Sequence, residues 1–397
     1  MCGGVDGEIS DFGGVQEMME KMTYINPNML KWARTELNMT THDAQSKIHS
    51  KILDWENGTD FPSYAQLEKI AETYNRPLAI FFFSEPPILS SLKTSFRTLN
   101  DDIFKQIPSK ILKLMDEARA MQLNLAELSE NADIQSAKVV LAFLRSKSSK
   151  ELLIATRSQL GVTLQMQKNK MLDKEAFELW RNAFERNGIY VFKGAFRDNS
   201  ISGFCINDED FPVIYVNNSM SFNRQIFTLF HELYHLIRET SGIDTIKDDY
   251  IDLLEPDNKK VEQLCNSFAG SFLLPQKDFS DAIQGKQISV EFISELSKHY
   301  NVSRQVVMVR LLNMQKITQK FYDEQSEHIT QDYLRRKHNS KGGSHYNTLV
   351  SYLGNQYLHL VFSQFAKQKI DVFKLSEYTK TKVENLSTLE KSWGWRV

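Results

Sequence analysis

Three cysteines, Cys2, Cys205 and Cys265, are all that this 397-residue chain contains. They are too few and too scattered for a disulfide framework or for a zinc site built on cysteine. No apolar run reaches the ~20 residues that a membrane-spanning helix needs, and the N-terminus has no signal-peptide core. Net charge is only −2, so no global field draws the chain toward nucleic acid or membrane. Internal repeats and low-complexity tracts are missing as well. These absences leave a cytoplasmic globular protein as the expectation. Its 41% hydrophobic and 25% charged residues are ordinary for that class, and its length suggests about two to three domains.

Against this plain background one stretch stands out: Phe227 to Leu236, FTLFHELYHL. On a helix, positions four apart lie one turn above each other, so His231 and His235 can point at a single metal ion. Glu232 starts from the neighbouring position and can reach a water held there. Two imidazoles with a carboxylate base form the minimal kit of a hydrolytic zinc site. With 9 histidines in the chain, an accidental HExxH is expected in on the order of one such chain in a hundred. The plain alternative is a buried helix that happens to carry two histidines. Phe227, Leu229, Phe230, Leu233, Leu236 and Ile237 do suggest burial nearly all round. Burying two imidazoles and a carboxylate is costly, however, unless something pairs with them.

A third protein ligand has to come from another element. Val261 to Pro275 carries apolar residues at helical spacing: Val261, Leu264, Cys265, Phe268, Ala269, Phe272 and Leu273. Glu262 borders that stripe. A carboxylate on a second helix, well beyond the HExxH, would give two His, one Glu and an open fourth position. The alternative for Glu262 is an exposed surface charge. Asn266, one turn on, can brace a ligating imidazole.

These segments resemble the ImmA/IrrE metallo-endopeptidases. The resemblance is carried by RQIFTLFHELYHLI at 224–237, ExxCNxFAxxxLLP from Glu262 to Pro275, GIYVF at 188–192 and GFCINDEDFPVIYVN at 203–217. It is strong over 171–315 and looser on either side. Where the family usually has Ala, this chain has Cys265, a small-for-small change expected to leave packing and chemistry alone. The resemblance implies a gluzincin-like arrangement, with Zn2+ held by His231, His235 and Glu262, and Glu232 as the base. The implied fold class is α+β and predominantly helical, with a small sheet in the peptidase domain.

Along the chain, 1–21 is Gly- and acid-rich and reads as a disordered leader, with Met22 as an alternative start. Cys2 lacks the preceding signal sequence that lipidation would need. Residues 22–83 read as a helical module: Pro27 opens a helix with Leu30, Trp32, Ala33 and Leu37, and a later helix spans Tyr64 to Tyr74. Trp55, Glu56, Gly58, Pro62 and Ser63 resemble the XRE-type helix-turn-helix of phage repressors. Between Thr40 and Trp55 the chain is about three residues shorter than that pattern. The shortened turn precedes the expected recognition helix, Ser50 to Trp55, which offers Lys51 and Asp54 as contacts to DNA or a partner. The module holds six Lys/Arg against seven Asp/Glu, a poor balance for neutralising phosphate. DNA reader and docking or dimerisation module both stay open.

Residues 84–170 read as a helical connector. One face carries Ile111, Leu114, Met115 and Ala118, another Val139, Leu141, Ala142 and Leu144, and SKSSK at 146–150 is a loop. Phe96-Arg97 matches a pair common in the resembling family. The peptidase domain, 171–315, begins with a helix over 173–187. Strands follow at 189–192, 201–206 and 213–217, and Val213 to Val216 is the expected strand bordering the cleft. Residues 240–258 read as a rim loop, and 288–318 as helix, turn, helix with Ser303 as N-cap. That last unit is expected to support the zinc site, a second DNA reader being the alternative. Residues 316–397 form a C-terminal helical region, with a basic loop at 335–345 and one helix from Tyr346 to Gln368. His338 and His345 have nothing converging on them. For the oxyanion, Tyr234 faces away and Tyr250 is left unassigned.

The function expected from these features is zinc-dependent, site-specific cleavage of a regulatory protein. The resemblance narrows the substrate to an XRE-type repressor of a mobile element or stress response. The rival expectation is a helix-turn-helix regulator or toxin–antitoxin partner with a structural or sensory zinc. Homodimerisation is left open, and no membrane partner is expected.

Overall fold

The protein is described by a computed structural model covering residues 21–86, 107–129, 136–169, 172–198, 200–240, 243–245, 256–337 and 344–394. Residues 1–20 of the expected leader, Phe96-Arg97, Tyr250 and His338 lie outside these. The chain divides into two compact units, Met1–Leu89 with Gln106–Ser109, and Ser90–Lys105 with Lys110–Val397. Among the described residues no helix is long and apolar enough to cross a membrane.

In the first unit, helices span Pro27–Glu36, Thr41–Lys47, Ile52–Glu56 and Tyr64–Tyr74, followed by a 3-10 turn at Leu78–Phe82. Local chemistry sets their starts. The Asn26 side chain accepts from Asn28 N, Thr40 from Asp43 N, and Ser63 forms a capping box with Gln66. Met29, Leu30, Ala33, Leu37, Ile52, Trp55, Leu67, Ile70 and Phe81 fill the core. Trp32 is only half-buried, whereas Arg34 is buried and grips Glu56 through two hydrogen bonds of 2.7 and 2.9 Å. The expected recognition helix begins at Ile52 rather than Ser50, because Lys51 takes the N-cap position.

In the second unit four strands form one sheet in the order β1-β3-β2-β4: β1 Tyr190–Gly194, β2 Ile201–Ile206, β3 Val213–Asn217 and β4 Ile243–Thr245. β1 runs parallel to β3, and β2 runs antiparallel to both β3 and β4. Two expectations change here. β3 is paired on both sides, so Val213 to Val216 is interior and offers no free edge to a peptide. β4 forms inside the stretch read as a rim loop; three residues between polar segments give no alternation to detect.

Every residue of β1, β2 and β3 is buried, so the sheet is covered on both faces. The HExxH helix, Phe222–Ile237, packs on β2, β3 and β4. The long helix Ser109–Ser129 is tied to the strand-2 end through Gln122, whose amide donates to Ile206 O at 3.1 Å and Phe211 O at 3.2 Å. In the connector the inward face is Ala137, Val140, Leu141 and Leu144, with Val139 exposed. The expected loop at 146–150 is shorter, because Ser148 and Glu151 form a capping box that starts a helix at Ser149.

The C-terminal region breaks where one helix was expected. Helices at His345–Leu353 and Asn355–Ala366 meet at Gly354, which has φ +86°. A Cβ there would fall 2.3 Å from the Arg181 guanidinium. Arg181 is buried and donates to Ser351 O and Val191 O, fastening this region to β1. The basic loop is also shorter than expected, since helix runs to Lys337 and resumes at His345. The 290–300 and 304–313 helices, with Asn301 left-handed between them and Ser303 capping the second, bury Ile293, Leu296, Val307 and Leu311 in the same core as the HExxH helix.

Candidate metal centre

Ser221 caps the HExxH helix by accepting from Arg224 N, and every residue from Gln225 to Ile237 is buried. Its partner is the helix Pro256–Leu273, which brings Glu262 to the two histidines. Aromatic rings lock the pair. Phe230 stacks on Phe272 with centroids 4.3 Å apart, and Trp180 meets Phe230 edge-on at 4.8 Å. Tyr234 packs against Phe268 and its hydroxyl accepts from Arg238, a core role rather than a site role. Leu264, placed in the apolar stripe by its spacing, is exposed.

The Glu262 carboxylate bridges the imidazoles, 3.1 Å from His231 Nε2 and 3.2 Å from His235 Nε2. With its side chain only 12% exposed, it is no surface charge. Asn266 Oδ1 lies 3.0 Å from His231 Nδ1. An amide oxygen can only accept, so the ring donates from Nδ1 and turns Nε2 toward Glu262. His235 is fixed by a residue the sequence reading missed. Thr240 donates its hydroxyl proton to His235 O, so its oxygen accepts from His235 Nδ1 at 3.1 Å. Nothing in the sequence marked Thr240, because it lies beyond the helix end and reaches back only through the turn there. Both rings thus present Nε2 to the same point.

The buried Nε2 atoms of His231 and His235 face the Glu262 carboxylate, and the buried Glu232 carboxylate has the weak donor Cys205 beside it. Buried polar atoms so sparsely paired cost about 1–3 kcal/mol each, more when charged. Asp244 adds a further carboxylate nearby, held by Arg224 Nη2 at 2.7 Å and Thr228 Oγ1 at 2.8 Å. Burial works against a charged His231 ring, but Asp244, Glu262 and Glu232 outweigh it and push its pKa up to about 9. Burial likewise opposes ionisation of Glu262, yet His235 and His231 hold its carboxyl well below the usual range. Glu232 is pushed up by burial, against the pull of the two histidines. Two imidazole Nε2 atoms among buried carboxylates form a donor set that fits a divalent zinc ion, which would displace any Nε2 proton on binding.

A second unexpected neighbour is Cys265. One ligand atom each from His231, His235 and Cys265 lies within 4.8 Å of the others, and all three residues are buried. Spacing alone concealed this, because Cys265 sits in the apolar stripe and reads as core.

The close seat of the helix on the sheet depends on Gly203 in β2. A Cβ at that position would meet Thr228 Cγ2 at 2.6 Å and Tyr215 O at 2.7 Å.

The residues expected at the N-terminal module are differently placed. Lys51 is ion-paired with Asp60 at 3.0 Å, and the Asp54 carbonyl accepts from Thr59.

No curated protein and no solved structure matches the chain. Residues 184–312 match the Peptidase_M78 family model, described as the IrrE N-terminal-like domain, with 1–183 and 313–397 outside the match. That segment contains His231, Glu232, His235, Glu262 and Asn266, and its similarity supports a metallopeptidase of the ImmA/IrrE type.

Proposed function

We propose that the protein is a zinc-dependent endopeptidase that makes a site-specific cut in a regulatory protein of the XRE-type repressor class. The observation that carries this reading is the convergence of two buried Nε2 atoms on the Glu262 carboxylate, with the buried Glu232 on the same helix as the two histidines. His231, His235 and Glu262 would hold the ion. A zinc ion so held supplies Lewis acidity, activating water and polarising a peptide carbonyl.

The chain's own residues supply the rest. Asn266 and Thr240 engage the two Nδ1 atoms and fix the ring orientations, so both imidazoles direct Nε2 to the site without rearrangement. Glu232, fully buried with only the weak Cys205 thiol as a hydrogen-bond neighbour among the described residues, is available to take a proton from water and pass it to the leaving amine. Its raised pKa brings it closer to the range in which a group can serve as base and then acid. Arg224 forms an ion pair with the nearby Asp244 at 2.7 Å.

The N-terminal module fits recruitment of a related repressor better than unaided DNA reading. Lys51 is engaged by Asp60, acidic residues outnumber basic ones over 22–83, and Leu53 and Tyr64 stand exposed. The rival reading, a regulator with a structural zinc, draws on Cys265 but leaves a buried carboxylate at Glu232 without purpose. The deciding experiment incubates the zinc-loaded protein with the XRE-type repressor encoded beside it and reads intact mass, with Glu232→Gln as control. Discrete cleavage absent from the control supports the peptidase. A repressor left whole by both proteins, with operator DNA bound in a salt-dependent way, supports the rival. Unimpaired cleavage after deletion of 22–83 would rule out recruitment by the module.

A further inference from the structure

Cys265 lies three residues after Glu262, hence on the same face of the same helix. It is fully buried, and its ligand atom lies within 4.8 Å of one ring nitrogen of His231 and one of His235. The Nδ1 atoms of both rings are already engaged by Asn266 and Thr240, so the nitrogens turned toward Glu262 and open to a metal are the Nε2 atoms. Tetrahedral zinc with Zn–N of about 2.0–2.1 Å and Zn–S of about 2.3 Å sets N···S at roughly 3.5 Å, inside the 4.8 Å limit that bounds this cluster. The other described thiol differs: Cys205, on β2, donates to the Thr240 carbonyl at 3.8 Å.

Resting on the peptidase reading, we propose that Cys265 is a fourth protein ligand, completing a His231–His235–Glu262–Cys265 set that holds the peptidase latent. Hydrolytic zinc sites keep one position open, whereas sites closed by four protein ligands are structural. A thiolate in that position excludes the water that Glu232 would serve. On coordination the thiol proton and one water pass to solvent, so the step needs no oxidant or other reactant. Burial first, and then the nearby Glu262 and Glu232, disfavour a free thiolate, and a divalent cation bound there would reverse that local balance. Opening requires a competing ligand, such as a substrate group, to displace the sulfur.

The test is zinc-edge X-ray absorption on the full chain, compared with Cys265→Ala and Cys265→Ser. One sulfur at about 2.3 Å is expected in the wild type, and only nitrogen and oxygen in both variants. Acetohydroxamate, a zinc-directed probe, should bind Cys265→Ala at least tenfold more tightly than the wild type by calorimetry. Unchanged circular dichroism and one zinc per chain in either variant establish that the fold and the remaining ligands survive. A wild-type shell of nitrogen and oxygen alone overturns the proposal and leaves the peptidase reading standing. Equal acetohydroxamate affinity overturns latency even if sulfur is present. A wild type that holds no zinc overturns both readings.

Discussion

Gly203→Ala puts a methyl group where β2 and the HExxH helix touch. The added carbon would lie 2.6 Å from Thr228 Cγ2 and 2.7 Å from Tyr215 O, and the second of these is backbone in the adjacent strand. Ordinary carbon contacts are about 3.5–4.0 Å, so helix and strand must separate by roughly 0.9 Å. Overpacking of this kind costs about 1–3 kcal/mol, and the Tyr215 carbonyl cannot relieve it by changing rotamer. The displaced element also carries Thr228, which holds Asp244, and, one turn on, His231 and Glu232. We expect a fall of about 1–3 kcal/mol in unfolding free energy by urea titration, together with weaker zinc retention. Gly270→Ala is the internal control. A Cβ at that helical position meets nothing within 4 Å, so helix propensity should make it neutral or stabilising by up to ~1 kcal/mol. Equal stability of the two variants would refute the claim that Gly203 sets the helix–sheet distance.

Thr240→Val should leave the fold intact but release the His235 ring, lowering zinc affinity by ~10–100-fold in competition with a chromogenic chelator; unchanged affinity would remove Thr240 from the account. Lys193 is buried without a hydrogen-bond partner, its Nζ over Phe177 at 3.7 Å, and burial pulls its pKa from 10.5 down to about 7. Below pH 7 folded and unfolded chains both hold the proton and the penalty is complete; between about 7 and 10.5 only the unfolded chain holds it, so stability should rise with pH. The penalty is up to about 5 kcal/mol before the ring contacts offset part of it, so Lys193→Met should stabilise the protein at pH 6 and flatten the rise; a variant less stable at pH 6 contradicts this. Zinc at a hundredfold excess over its Kd should add ~2.7 kcal/mol to unfolding free energy, and EDTA should remove it, as read by thermal melts with each.

The parts of this architecture that were legible in the sequence share one property: their signal is local and repeated. The HExxH helix, the 173–185 helix with Phe177, Trp180 and Phe184 inward, and the strands at 201–206 and 213–217 all show in periodicity and punctuation. Glu262 and Asn266 were reachable because a second ligand helix must carry polar residues at the border of its apolar stripe. What stayed hidden depends on tertiary placement. Thr240 acts through a turn, Cys265 is apolar by pattern and a neighbour of the two histidines only by position, and β4 is too short for any period. The break at Gly354 answers to Arg181, more than a hundred residues away, so no window of sequence could hold both. The edges of the sheet were misplaced for the same reason, since strand order follows from pairing and not from strand content.

The most direct test of the zinc centre is native mass spectrometry of the full chain loaded with zinc, beside Glu232→Gln and a His231→Ala/His235→Ala double variant. One zinc per chain in the wild type and in Glu232→Gln, and none in the double variant, is the result this structure predicts. Zinc retained by the double variant, or absent from a folded wild type, would contradict it.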